Sequence, residues 1–179
     1  HVAEAMAADE NPSTKAIRQT VATKQEIESS FDNSITYYKG SAVAKMFESF
    51  VGPENWRAFI RAYMSKYAWR NASARDFINL MSERLGESVA AAFQSFLEQP
   101  GVPLIEHRLV CDGAPRVELK QQRALPAGTS AEAASIWKVP VCVRYGDGTT
   151  SERGCTLLTE PTGSMLLTGP CPNWLAMNA

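Results

Sequence analysis

The 179-residue sequence contains two histidines, His1 and His107. Catalytic zinc sites and serine or cysteine triads draw on histidine beside further ligands or a nucleophile, and neither residue stands in such a pattern. A self-contained hydrolytic site is therefore not expected. No run of about 18 apolar residues occurs, which excludes a helical bilayer span within the sequence. Charge of one sign is also missing, since 18 Lys plus Arg stand against 19 Asp plus Glu. The balance holds along the chain, with 4 basic and 6 acidic residues in 1–40, 7 and 6 in 41–104, and 7 and 7 in 105–179. Binding to nucleic acid through bulk charge is excluded on that count. The first residues, HVAEAMAADENP, show no basic stretch followed by an apolar core, so no secretion signal is read in them. The four cysteines, Cys111, Cys142, Cys155 and Cys171, include no closely spaced pair, which removes a zinc ribbon or a thioredoxin-like redox site.

What is present divides by periodicity. Residues 1–30 are polar without a sustained period and read as extended or loop-like, although Ile17 and Val21 are spaced to dock on a neighbour. From residue 41 a helical period sets in. Val43, Met46, Phe47 and Phe50 share one face before Gly52-Pro53 stops the helix. Trp56, Phe59, Ile60, Tyr63 and Tyr67 form a second such face. Ser73 three residues before Asp76 resembles a capping box, ahead of Phe77, Ile78, Met81 and Leu85, with Gly86 as terminator. Val89, Phe93, Phe96 and Leu97 make a fourth face before Gln99-Pro100-Gly101.

After Pro103 the period shortens to two. Val139, Val141, Val143 and Tyr145 alternate with more polar positions, and Gly146-Asp147-Gly148 follows as a hairpin signal, its glycines supplying positive φ. Segments 116–124, 154–160 and 164–168 read as further strands. The expected fold is α+β: a helical bundle, residues 1–103, followed by a small antiparallel β-sandwich, residues 104–179. Simple hairpin register places Cys142 opposite about residue 152, so a bond to Cys155 would require a bulge. Reduced thiols packed as small hydrophobes are the expected state.

One segment carries chemistry: Phe31-Asp32-Asn33-Ser34-Ile35-Thr36-Tyr37-Tyr38-Lys39-Gly40. From composition alone its tyrosines are packing groups with wet hydroxyls. The segment nevertheless resembles the one that follows the zinc site in gluzincin aminopeptidases of the aminopeptidase N and leukotriene A4 hydrolase type. There an aromatic-Asp pair, a short spacer and Tyr-x-Lys-Gly lead into an amphipathic helix. The likeness runs in order through Gly52-Pro53-Glu54, the Trp56 to Tyr67 helix, Asn71-Ala72, the Gln99 to Pro103 exit and the Arg144 to Gly148 hairpin, covering residues 15–175.

The resemblance implies a thermolysin-like catalytic domain and a zinc cofactor, with peptides as substrates. It assigns Tyr37 the role of stabilising the transition-state oxyanion, and Tyr38 none. It also implies that the HExxH helix, the third ligand and the general base lie outside this chain, because no HExxH occurs in it. The chain then reads as a fragment: the C-terminal half of a peptidase catalytic domain plus the adjoining β-sandwich, inactive alone. Its expected partners are the missing half of that domain and, through exposed apolar surface, other copies of itself. The alternative is a naturally short, non-catalytic interaction module. Nothing in the sequence indicates a compartment.

Overall fold

A computed structural model of the chain describes residues 2–129 and 135–178. Helices come first: α1 Val2–Asp9, α2 Lys24–Ser30, a π-helical turn Asn33–Lys39, α3 Gly40–Val51, α4 Pro53–Lys66, α5 Ala74–Leu85 and α6 Glu87–Glu98. Strands follow: β1 Pro103–Val110, β2 Arg116–Arg123, β3 Val139–Gly146, β4 Ser151–Leu158, β5 Thr162–Leu166 and β6 Trp174–Met177. The strands form two three-stranded antiparallel sheets, ordered β1-β2-β5 and β4-β3-β6. The α+β reading of the sequence is the observed fold.

The four periodic faces become α3 to α6. Ser73 and Asp76 cap α5 reciprocally, each side chain accepting from the other's backbone N–H. Phe47 and Phe59 are sealed from solvent, and Phe47 meets Phe93 and Phe96 edge to face at centroid distances of 5.1 and 6.1 Å. The apolar core does not stop at residue 103. One cluster runs from Phe47, Phe59, Met81 and Phe93 into Val117, Trp137, Val141 and Val143. Strand β3 is buried at every position but Arg144, because α3 packs against it. Arg153 of β4 also donates to the Ser49 carbonyl at the end of α3, at 3.0 Å.

Residues 1–30 differ from the extended expectation, since 2–9 and 24–30 are helical. The inward positions of α1 are Ala5 and Asp9, an alanine and a carboxylate, so the helix buries a face without an apolar stripe. Helix α2 carries a capping box in which Thr23 and Glu26 bond reciprocally. Between the helices the chain straps across α6: Ile17 packs on the core, Arg18 N–H donates to the Leu97 carbonyl at 2.8 Å, and Val21 stays exposed.

The hairpin corrects two expectations. Gly146 pairs with Ser151 around a loop of residues 147–150, so Cys142 stands directly opposite Cys155 and no bulge is needed. The cysteines are bonded rather than reduced: Cys142 to Cys155 within one sheet, and Cys111 to Cys171 between the β1–β2 turn and the approach to β6. The loop is longer than assumed because Asp147 organises it, accepting from the Thr149 and Thr150 N–H groups at 2.8 and 2.9 Å and from both hydroxyls. Gly148 takes a positive φ of 99°. Gly146 serves close approach instead, since a Cβ there would fall on the Thr150 carbonyl oxygen.

These bonds, led by those from the Thr150 and Thr149 backbone, hold the Asp147 carboxyl well below its ordinary value of 3.8. A lowered carboxylate contributes stability that is fully present above the unfolded pKa and is lost as pH falls through the folded one. A carboxyl-carbon NMR titration is expected to place its midpoint below 3.8, with the Thr149 and Thr150 amide shifts following the same curve. A midpoint at the ordinary value would show that the turn is open in solution.

Candidate active-site segment

The π-helical turn is built from its ends. Asp32 caps it, its carboxylate accepting from Ile35 N–H at 2.6 Å while pairing with Lys15 at 2.8 Å. Burial pushes the Asp32 carboxyl up, but the bonds from Lys15 and the Ile35 N–H outweigh it, and the group sits below the usual range. Ile35 and Lys39 are buried. Four residues apart, they occupy one face of the turn, and Tyr37 midway between them is carried to the other, where it is 53% exposed. π-helical turns recur at functional sites, where they aim side chains that a regular helix would place differently.

The inward lysine meets Asp9, a residue with no signature in the sequence. Lys39 Nζ lies 2.8 Å from Asp9 Oδ2, with 3% and 1% of the two side chains exposed. It also donates to the Gly101 carbonyl at 2.9 Å, while Gly101 N–H donates to Asp9 Oδ1 at 3.1 Å. Thr14 Oγ1 adds a bond to the same carboxylate oxygen at 3.1 Å. Burial pushes the Lys39 ammonium below its usual range, against the raising effect of Asp9. In the sequence Asp9 is one of three acidic residues, with Glu4 and Glu10, in an Ala-rich stretch, and without the fold nothing singles it out.

Beside the Lys39–Asp9 pair an apolar cavity of about 430 Å³ opens between α1, α3 and the strands, walled by Met6, Val43, Met46, Leu104 and Val141 among others. Of the remaining candidates, His107 lies exposed in β1, opposite Leu119. His1 lies outside the described residues. Among the described residues no group of three or more His, Cys, Asp or Glu is placed to hold a metal ion. Among the described residues no helix is long and apolar enough to cross a membrane.

The peptidase family M1 domain matches residues 1–96, which include α1 to α5, the π turn and all but the end of α6. Aminopeptidase N of Lactococcus lactis is 28% identical over 140 residues, 78% of this chain and 16% of its own length. Aminopeptidase M1-A of Oryza sativa is 35% identical over 123 residues, 67% of the chain and 13% of its own length. Leucyl aminopeptidase of Saccharolobus solfataricus is 30% identical over 137 residues, 76% of the chain and 17% of its own length. The chain thus spans about a sixth or less of these relatives. With a family domain matched over more than half of its residues, the chain belongs to the gluzincin aminopeptidases of peptidase family M1.

Proposed function

We propose that residues 1–179 are part of a zinc aminopeptidase that removes N-terminal residues from peptides, and that Tyr37 donates its hydroxyl to the oxyanion formed when the scissile carbonyl is attacked. The observation that carries this reading is the presentation of Tyr37: a half-exposed phenol, held outward by two buried neighbours on a capped π turn. A phenol donates to developing negative charge without carrying charge itself, and it needs no reorientation if the backbone beneath it is fixed. The described residues do not fit a zinc ion, so the metal and the base that activates water belong to other parts of the enzyme.

The exposed apolar surface supports a missing neighbour. Val2, Met6, Val21, Ile27, Phe31 and Tyr37 are all open to solvent within the first 37 residues. Surfaces of this kind mark contact sites, and the upstream half of the catalytic domain is the partner we assign to this one. Where that half is absent, the same surface favours self-association.

Two measurements test the reading. In the full-length enzyme, Tyr37→Phe is expected to lower kcat about 10²–10³-fold with little change in KM, the loss typical of a single oxyanion donor. An unchanged kcat removes Tyr37 from the chemistry. The isolated chain, with or without added zinc, is expected to release no arylamine from an aminoacyl-arylamide, and metal-dependent turnover would overturn the fragment reading.

A further inference from the structure

The lysine of the Tyr-Tyr-Lys-Gly segment is buried, and a buried ammonium is costly unless it is paired and fully hydrogen-bonded. A leucine at position 39 would leave the buried Asp9 carboxylate without its cation and the Gly101 carbonyl without this donor. The role of the charge is read from those partners. Asp9 ends α1, and Gly101 lies in the connection between α6 and β1, so Lys39 binds a helix end and a linker that are 30 and 62 positions away in sequence. The three groups close a ring: Lys39 to the Asp9 carboxylate, Asp9 to Gly101 N–H, and the Gly101 carbonyl back to Lys39.

Gly101 is suited to its place in this ring. Its φ of 84° is one that side-chain-bearing residues rarely adopt, and a Cβ there would meet the Arg123 guanidinium Nε at 2.6 Å. Arg123 in turn reaches across to the Asn11 and Pro12 carbonyls at 3.3 and 3.2 Å, tying β2 to the segment just after α1. Polar bonds from the helical part, the linker and a strand therefore converge two residues from Tyr37.

We propose that Lys39, Asp9 and Gly101 form a positioning knot that fixes the direction of Tyr37. The proposal rests on the reading of Tyr37 given above and adds the parts that aim it. Ile35 supplies burial and the Asp32 cap fixes the start of the turn, but an apolar contact is non-directional and the cap does not reach the far end. The ring at Lys39 holds that end, because its hydrogen bonds prefer defined distances and angles. Lys39 and Asp9 are thus positioning residues and touch no substrate.

The test uses the 179-residue chain with its tyrosines replaced by 3-fluorotyrosine, the Tyr37 fluorine resonance being assigned with Tyr37→Phe. In Lys39→Cys the Tyr37 resonance is expected to move toward that of free fluorotyrosine. Amide exchange at residues 35–40 is expected to rise by about tenfold or more. The resonance of Tyr145 in β3 should stay in place, showing that the β strands are intact. The remaining cysteines are bridged, so the new thiol alone can be aminoethylated under denaturing, non-reducing conditions. Refolding with that lysine analogue is expected to restore both signals, whereas capping the thiol with an S-propyl group, equal in length but uncharged, is expected to restore neither, which separates the charge from packing.

If Lys39→Cys does not fold, Asp9→Asn combined with Lys39→Met removes both charges at once. The Tyr37 resonance is still expected to move, because the Gly101 carbonyl loses its donor. In either variant, an intact Tyr145 signal with an unmoved Tyr37 resonance and unchanged exchange overturns the proposal. Because no turnover is measured, this outcome is separate from the kcat test of Tyr37 itself.

Discussion

Phe47→Ala is expected to lower the unfolding free energy by about 3–5 kcal/mol. The ring is wholly inaccessible to solvent and sits edge to face with Phe93 and Phe96, so truncation removes buried apolar area and two quadrupole-matched contacts together. The void would open where α3 and α6 meet, and α3 continues without a break from the π turn that carries Tyr37. Domains are typically stable by about 5–15 kcal/mol, so the variant keeps only part of its reserve. Urea unfolding followed by circular dichroism gives the number. A loss below about 1 kcal/mol would mean that the neighbours collapse into the space and that the aromatic cluster is not close-packed.

Removing the Cys111–Cys171 bridge by a paired change to serine is expected to cost about 4 kcal/mol on the chain-entropy scale, given a sequence separation of 60. Both residues are exposed, so serine takes their places with little loss of packing and the effect falls mainly on the unfolded chain. The Cys142–Cys155 bridge closes a separation of only 13 and is expected to contribute about 3 kcal/mol on the same scale. Unfolding midpoints of the variant and the parent, each measured with and without reductant, separate the two bridges. Equal midpoints for variant and parent without reductant would show that the longer bridge does not form.

Much of the scaffold is legible from residue spacing. Helices α3 to α6 announce themselves because each buries a stripe of large apolar residues bounded by a glycine, a proline or a cap, and β3 because its inward valines alternate. Strand β1 escapes notice because its middle residues, Glu106, His107 and Arg108, are all exposed. What holds it is its ladder with β2 and the packing of Ile105 and Leu109 on the core, while the exposed charge pairs across the strands, Lys120 with Glu106 at 3.2 Å and Arg108 with Glu118 at 2.7 Å, add little. Strand β6 is four residues long and pairs only with β3, too short for a period to show. The hairpin register departs from the simple expectation because loop length depends on how Asp147 bonds the Thr149 and Thr150 backbone, which composition does not specify.

The candidate site divides in the same way. Tyr37 could be singled out through the order of motif residues around it, and the structure supplies what order alone leaves out, the burial of Lys39 and its distant partners. Asp9 was invisible because its importance is wholly tertiary. In an alanine-rich stretch that also holds Glu4 and Glu10, Asp9 looks like one more solvated charge, and only the arrival of a lysine from position 39 and a backbone amide from position 101 makes it interior.

The two bridges make the strands answer to electron supply as well as to sequence. Each forms only when two electrons leave for an external acceptor. Where thiol reductants prevail, the same polypeptide keeps its cysteines as thiols, and the paired sheets rest on their ladders and shared core. Where oxidants prevail, the β1–β2 turn and the approach to β6 become one covalent unit. The durability of this half of the molecule is therefore a property of the surrounding redox potential, while the charged ring beneath Tyr37 contains no thiol and is indifferent to it.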